Sequence, residues 1–130
     1  IAKYVDLFLF DCKETDPDLH KKYTGVDNKI IIDNLKALSD AGSKIILRCP
    51  IIPGFNDRAE HFEGISEIAG KLSGIEHIEI EPFHPHGESK YSALGREVAD
   101  IPVPSGKTVD KWIKQIGCGT DKDVICAYQA

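Results

Sequence analysis

The sequence has 130 residues, of which 42% are hydrophobic, and it carries a formal net charge of −5. A chain of this length buries one core, and an acidic balance without a basic cluster disfavours nucleic acid or an anionic membrane surface as the partner. The apolar runs have the length of strands and are interrupted by charges, so the sequence predicts no signal peptide and no membrane span, and it favours a cytoplasmic protein.

The first predicted strand covers residues 5–10, a continuously apolar run that is typical of a parallel strand with both faces buried. Asp11 and Lys13 follow it with a spacing of two residues, which places both side chains on the same side of the extended chain. Cys12 points to the opposite side, into the core. Because α/β enzymes keep their sites at the carboxyl ends of parallel strands, this pair is a candidate site, and a surface ion pair is the alternative.

Two helices are predicted next. Asp16 is typical of an N-cap and Pro17 of a first helical position, and Gly25 closes this short helix after about residue 23. Asp27 or Asn28 is the predicted cap of the second helix. That helix has apolar side chains at helical spacing and ends at a glycine, and these residues are Ile31, Leu35, Leu38, Ala41 and Gly42.

The second and third strands end in loops that carry functional side chains. Residues 43–49 form the second strand, with Arg48 near its end, and Pro50 is expected to force the chain out of the sheet. In the third strand, isoleucines alternate with glutamates, which predicts a polar face suited to the interior of an open barrel. His84 follows this strand.

The remaining elements are two helices and a short strand. Asp57 with Glu60 predicts the start of the helix between the second and third strands. The last helix is expected over about residues 108–116, and a short terminal strand over residues 124–128. The irregular segment between the third strand and the last helix is long enough to suggest a function.

The predicted fold is therefore α/β, with a β-α-β-α-β-α order that requires parallel strands. Three βα units are too few to close a barrel, and the open sheet leaves an exposed edge through which the chain is expected to self-associate. The chain has no methionine and enters its first strand within a few residues. We therefore expect residues 1–130 to be one part of a longer protein, whose missing portion precedes Ile1.

Four candidate site residues, Asp11, Lys13, Arg48 and His84, are expected to gather at the carboxyl ends of the three strands. Lys13 and Arg48 suit a carboxylate or phosphate, Asp11 suits a hydroxyl, an amine or a cation, and His84 suits hydrogen bonding or proton transfer. This set predicts a charged, polyfunctional metabolite as the ligand. The four cysteines have no paired spacing and predict no metal or cluster site.

Three segments together resemble the carboxyl-terminal half of glycyl-radical-enzyme activating enzymes of the pyruvate formate-lyase activating type. They are Leu-Phe-Asp-Cys-Lys at residues 9–13, Leu-Arg-Cys-Pro-Ile-Ile-Pro-Gly-Phe-Asn-Asp at 47–57, and Glu-Pro-Phe-His-Pro-His-Gly-Glu-Ser-Lys-Tyr at 81–91. The resemblance runs from about Val5 to Trp112. It implies an incomplete (β/α)₆ barrel of the radical S-adenosylmethionine superfamily, a partial TIM-type barrel of which this chain holds about three βα units.

The resemblance also implies an activity. Enzymes of this family, oxidoreductases of the [formate-C-acetyltransferase]-activating type, hold a [4Fe-4S] cluster on a C-x-x-x-C-x-x-C loop, take an electron from flavodoxin or ferredoxin, and cleave S-adenosylmethionine reductively. The resulting radical takes a hydrogen atom from a glycine of a partner glycyl-radical enzyme, such as pyruvate formate-lyase. The cluster loop lies in the amino-terminal part, which is absent here, so this chain supplies no iron–sulfur ligands and is expected to be inactive alone.

By the same resemblance, Lys13, His84 and Asp11 are contacts of S-adenosylmethionine. Asp11 also resembles the residue that helps to hold a monovalent cation beside the methionyl carboxylate, with the Leu9 carbonyl as an additional ligand. Arg48 resembles a residue near the bound glycyl loop of the partner. No residue of this chain is expected to be catalytic in itself.

Two other functions stay open on the residues alone. One is a Schiff-base lyase of the barrel kind, in which Lys13 attacks a carbonyl after its pKa is lowered. The nearby Asp11 carboxylate argues mildly against it, because an anion stabilises the protonated amine. The other is a non-catalytic module that docks a partner protein through the loop at residues 83–104.

Overall fold

The structure is a computed structural model that describes residues 7–26, 28–84 and 101–127. These residues form four strands and four helices, in the order β1 (Leu7–Asp11), α1 (Pro17–Thr24), α2 (Lys29–Asp40), β2 (Lys44–Ile51), α3 (Ala59–Lys71), β3 (Ile75–Pro82), α4 (Gly106–Gly117) and β4 (Asp123–Cys126). The strands form one sheet in the order β1-β2-β3-β4, and each neighbouring pair is parallel. The predicted α/β class with a parallel sheet is confirmed.

The first helix begins and ends where its local signals predicted. Asp16 Oδ1 accepts hydrogen bonds from the N–H groups of Asp18 and Leu19 at 2.9 and 3.1 Å. Pro17 is the first helical residue, and Gly25 follows the helix with a φ of 87°, a left-handed conformation that favours glycine. These signals act within a few residues of the helix ends, which is why the sequence alone reveals them.

Two expectations about the chain after β2 are wrong. Pro50 does not end the strand: β2 continues to Ile51, and Pro50 stands opposite Glu81 in the register with β3. Asp57 does not cap α3, because Arg58 occupies the N-cap position and Asp57 Oδ1 instead accepts the Gly54 N–H at 2.9 Å. A proline is tolerated here because the β1–β2 register ends at Arg48, so the N–H that Pro50 lacks has no ladder partner on the β1 side.

Other boundaries differ by a few residues. The terminal strand starts at Asp123 rather than at residue 124, and residue 128 lies outside the described part of the chain, as does residue 5 of the first strand. The last helix extends from Gly106 to Gly117, because the Ser105 hydroxyl accepts the Thr108 N–H at 3.2 Å and so begins the helix earlier than predicted.

The two faces of the sheet differ in character. One face packs against the helices through buried side chains, and these include Leu47, Cys49, Ile78, Ile80, Leu35, Phe62, Ile65, Trp112 and Ile116. The predicted core position of Cys12 is confirmed. The other face carries Leu9 of β1, 59% exposed, together with Arg48 of β2 and Glu79 of β3. The expectation that both faces of β1 are buried is therefore wrong for the described residues.

None of the helices in the described ranges is long and apolar enough to cross a membrane.

Candidate functional site

A cleft of about 650 Å³ lies at the carboxyl end of β1. Leu9, Asp11, Lys13 and Arg48 line it together, so four of the five predicted site residues meet in one place. Asp11 and Lys13 are both exposed, on either side of the buried Cys12, as the spacing of two residues predicted. His84 lies two residues beyond β3, is exposed, and does not line this cleft.

A row of charged side chains extends from β1 to β3 on the face of the sheet opposite the helices, the open face. Asp11 stands opposite Arg48, and Arg48 stands opposite Glu79, in the parallel registers of the three strands. The Arg48 guanidinium forms an ion pair with Glu81, and its Nε lies 3.8 Å from Glu79 Oε2. The side chain of Glu81 is only 5% exposed, whereas that of Arg48 is 30% exposed. The Arg48 side chain therefore lines the cleft while Glu79 and Glu81 of β3 partly compensate its positive charge.

A buried carboxylate, Glu14, organises the loop that follows β1. Its oxygens accept two hydrogen bonds from the Arg58 guanidinium at 3.0 and 2.7 Å, and Oε2 also accepts the N–H groups of Thr15 and Asp16 at 3.0 and 3.1 Å. Burial raises the pKa of Glu14, but hydrogen bonds from His61, Arg58 and the Asp16 backbone outweigh it and lower the pKa to about 2. Glu14 is therefore ionised at neutral pH and fixes the backbone next to Lys13.

His61 of α3 also contacts the Glu14 carboxylate. The ring is fully buried, and its Nδ1 lies 3.4 Å from Glu14 Oε2 and 3.0 Å from Thr15 Oγ1. Its Nε2 has no hydrogen-bond partner among the described residues. The polar contacts of this buried ring were not predicted from the sequence. Gly64, about one helical turn after His61, is the one sequence feature that indicates the close approach of Thr15 to α3, since a Cβ there would lie 2.6 Å from Thr15 Oγ1.

Two buried asparagines hold the same loop by its backbone. Asn28 occupies the predicted N-cap position of α2, but its side chain makes no capping hydrogen bond. Asn28 Nδ2 instead donates to the carbonyls of Glu14 and Thr15, both at 3.1 Å. Asn56 Nδ2 donates to the Lys13 carbonyl at 2.9 Å. Neither contact was predicted from the sequence, because neither is local in the chain.

The residues of the cleft suit an amino acid or a similar zwitterion. Asp11 can accept from an ammonium group, and Lys13 and Arg48 can donate to a carboxylate. Clefts of roughly 300–1,000 Å³ hold small ligands. The described residues do not provide ligands for an iron–sulfur cluster. Within residues 7–26, 28–84 and 101–127, no group of three His, Cys, Asp or Glu side chains is placed to hold a metal ion.

Two solved structures share the fold of this chain. A domain of the pyruvate-formate lyase-activating enzyme from Bacteroides vulgatus superposes with a TM-score of 0.77 at 20% identity, covering 97% of this chain and 70% of that one. A radical SAM methyltransferase from Sphaerobacter thermophilus gives 0.63 at 13% identity, covering 91% of this chain and 32% of that one. The fold is thus the α/β parallel-sheet architecture found in radical SAM enzymes.

Sequence comparison identifies the relatives more closely. The 4-hydroxyphenylacetate decarboxylase activating enzyme of Clostridioides difficile is 42% identical over 75% of this chain and 31% of its own length. The pyruvate formate-lyase-activating enzyme of Streptococcus mutans is 39% identical over 76% of this chain and 36% of its own length. No protein-family model matches the chain.

By these comparisons the chain is a homologue of the glycyl-radical-enzyme activating enzymes, and the resemblance seen in its three motifs is confirmed. It spans about a third of the length of the curated relatives that it matches.

Proposed function

We propose that this chain is the carboxyl-terminal part of a radical S-adenosylmethionine enzyme that activates a glycyl-radical enzyme. In this proposal the complete protein accepts an electron from a flavodoxin or ferredoxin, cleaves S-adenosylmethionine and takes a hydrogen atom from a glycine of its partner. The cluster ligands belong to the part of the protein outside this chain, and the chain alone is inactive. Pyruvate formate-lyase is one candidate partner among the enzymes that the relatives activate.

The observation that carries the proposal is the convergence of Asp11, Lys13 and Arg48 on one cleft in a chain homologous to activating enzymes. When bound beside the cluster, S-adenosylmethionine supplies the radical chemistry. The residues of this chain bind and orient its methionyl end. The Lys13 ammonium attracts the carboxylate, while Asp11, with the Leu9 carbonyl, holds a monovalent cation or the ammonium group.

His84 and Arg48 have different roles in this proposal. His84 contacts S-adenosylmethionine from the loop after β3, outside the cleft at β1, so its contact requires the ligand to extend across the sheet. Arg48 lies on the open face, where Glu81 orients its guanidinium. From there it meets the glycyl loop of the partner.

The Schiff-base alternative finds less support. A lysine that attacks a carbonyl needs a lowered pKa, and desolvation is one of the ways in which proteins lower it. Lys13 is exposed, next to a cleft that also contains a carboxylate, Asp11. The docking-module alternative depends on residues 83–104, of which residues 85–100 lie outside the described part of the chain.

The test uses the complete protein, purified and reconstituted with iron and sulfide under anaerobic conditions. Binding of S-adenosylmethionine is measured by equilibrium dialysis, and 5′-deoxyadenosine formation is measured after reduction. We expect Lys13→Ala and His84→Ala to weaken binding by at least about tenfold each, the usual cost of a charged contact to a ligand. Lys36→Ala removes a lysine from the exposed side of α2 and serves as the matched control.

The outcomes separate the candidate functions. Cleavage by the wild type that is weakened in the two site variants, with an unaltered Lys36→Ala protein, supports the proposal. A protein with an intact cluster that neither binds nor cleaves S-adenosylmethionine contradicts it. In that case, borohydride trapping of a carbonyl substrate on Lys13 tests the Schiff-base alternative.

A further inference from the structure

Residues 53–57, with the sequence Pro-Gly-Phe-Asn-Asp, form the loop that follows β2 and have no role in the proposed function so far. Gly54 has a φ of 84°, and its N–H donates to Asp57 Oδ1 at 2.9 Å. The Phe55 N–H donates to the Ile52 carbonyl at 3.0 Å. These bonds turn the loop back on the strand end, so that Asn56 points inward and is only 4% exposed.

The Asn56 amide is used entirely on backbone groups. Its Nδ2 donates to the Lys13 carbonyl at 2.9 Å and to the Pro50 carbonyl at 2.8 Å. Its Oδ1 accepts the Ile52 N–H at 2.7 Å. One side chain thus joins the end of β1 to the end of β2 and satisfies three backbone groups that would otherwise lack partners there.

This connection lies where the backbone ladder between the two strands stops. The Cys12 N–H donates to the Arg48 carbonyl at 2.7 Å, at the level of the last register pair. Pro50, two residues further along β2, has no N–H with which to continue the ladder. The two N–H donors of Asn56 therefore replace a backbone link between Lys13 and the strand that carries Arg48.

We propose that Asn56 is a positioning residue that sets the location of Lys13 relative to Arg48 in the cleft. It does not line the cleft itself, so it acts on a ligand through the backbone of Lys13. For the identity of that ligand, S-adenosylmethionine, the inference rests on the proposed function. The positioning itself rests on the three hydrogen bonds.

The test compares Asn56→Asp with two controls in the complete, reconstituted protein. The aspartate keeps the shape and the acceptor of the asparagine but turns a carboxylate oxygen toward two carbonyl oxygens. Asn34→Asp makes the same exchange on the exposed side of α2, and Ser66→Ala removes a buried hydroxyl that bonds the Ile116 carbonyl at 2.6 Å, away from the strand ends. Affinity for S-adenosylmethionine is measured by calorimetry and folding by thermal unfolding.

We expect Asn56→Asp to weaken binding by about tenfold or more, since small displacements of a binding group are costly, and both controls to stay within about twofold. In a Lys13→Ala background, Asn56→Asp should weaken binding by less than about twofold, because the group through which it acts is gone. A full additional loss in that background, or unchanged affinity of a folded Asn56→Asp protein, would overturn the proposal. If the aspartate variant does not fold, Asn56→Ala, which introduces no charge, takes its place.

A second measurement separates this inference from the proposed function. Hydrogen exchange of the amides at residues 12–16 is followed in the wild type and in Asn56→Asp without ligand. If the wild type fails to bind S-adenosylmethionine, the proposed function is wrong, and faster exchange in the variant still supports the positioning role. Unchanged exchange at these amides contradicts it whatever the ligand is.

Discussion

Glu14 is the group whose removal has the most calculable effect. The carboxylate is 4% exposed, and its pKa is lowered from the ordinary value of 4.5 to about 2. One pKa unit corresponds to about 1.4 kcal/mol, so the interactions of the ionised form stabilise the folded protein by about 3 kcal/mol. We expect Glu14→Gln to lower the free energy of unfolding by roughly this amount at pH 7, because the amide cannot accept all four hydrogen bonds and leaves Arg58 without its carboxylate.

The same numbers predict the pH dependence. The unfolded chain protonates Glu14 near pH 4.5 and the folded protein only near pH 2, so in this window the unfolded chain binds more protons and stability is lost as the pH falls. The stabilisation is complete above about pH 4.5 and has fallen to about 1.4 kcal/mol at pH 3. The stability difference between wild type and Glu14→Gln should shrink accordingly.

Urea unfolding of both proteins at pH 7, 4 and 3 measures this difference. Glu67→Gln is the control, since Glu67 pairs with Lys71 on the exposed side of α3 and its removal should change stability little. A gap between wild type and Glu14→Gln that is equally large at pH 7 and pH 3 would refute the reasoning. It would mean that the cost of the substitution comes from packing and not from the ionised carboxylate.

Two further predictions concern the glycines of α3 and the thiols. Gly70→Ala should stabilise the protein by about 0.5–1 kcal/mol, since its Cβ meets nothing within 4 Å. Gly64→Ala in the same helix should destabilise the protein, because its Cβ would lie 2.6 Å from Thr15 Oγ1. Thermal unfolding of the two variants measures both effects, and equal shifts of the unfolding temperature would contradict the prediction. In the native protein, a thiol reagent should modify the exposed Cys118 much faster than the three buried cysteines. Burial also raises the pKa of Cys49, which disfavours its reactive thiolate form. Similar modification rates of all four cysteines, measured by mass spectrometry, would contradict the burial.

The secondary structure was largely predictable because its signals are local. The Asp16-Pro17 start and the Gly25 end of α1, and the alternation of isoleucine and glutamate in β3, each lie within a few residues. The candidate site followed from the same information. Once the strands were placed and their parallel order inferred, Asp11, Lys13 and Arg48 had to meet at one edge of the sheet.

The supporting polar network was not predictable in this way. Glu14 and Arg58 are 44 residues apart, and Lys13 and Asn56 are 43 apart. Each of these residues, seen alone, is typical of a surface or of a helix start, and only the fold brings the partners together. Pro50 shows the same limit. Its position inside β2 is tolerated because its nitrogen faces the β1 side beyond the last register pair, where no ladder hydrogen bond is lost, and the Asn56 amide binds its carbonyl there at 2.8 Å.

The pairing of Arg48 with Glu81 decides how freely Arg48 can meet a ligand. Glu81 is almost fully buried, so we expect a strong coupling between the two side chains, about 1–3 kcal/mol in a double-mutant cycle of Arg48→Ala and Glu81→Gln. The exposed pair of Lys71 and Glu67, at 2.6 Å, provides the control cycle and should show a smaller coupling.

Urea unfolding at pH 7 gives both coupling energies. A coupling for Arg48 and Glu81 no larger than that of the exposed pair would mean that burial of Glu81 does not fix the guanidinium, and that Arg48 moves freely over the open face. A large coupling would mean that Glu81 holds the guanidinium in one orientation before any partner arrives. Binding of a partner's loop would then not cost the conformational entropy of ordering the long Arg48 side chain.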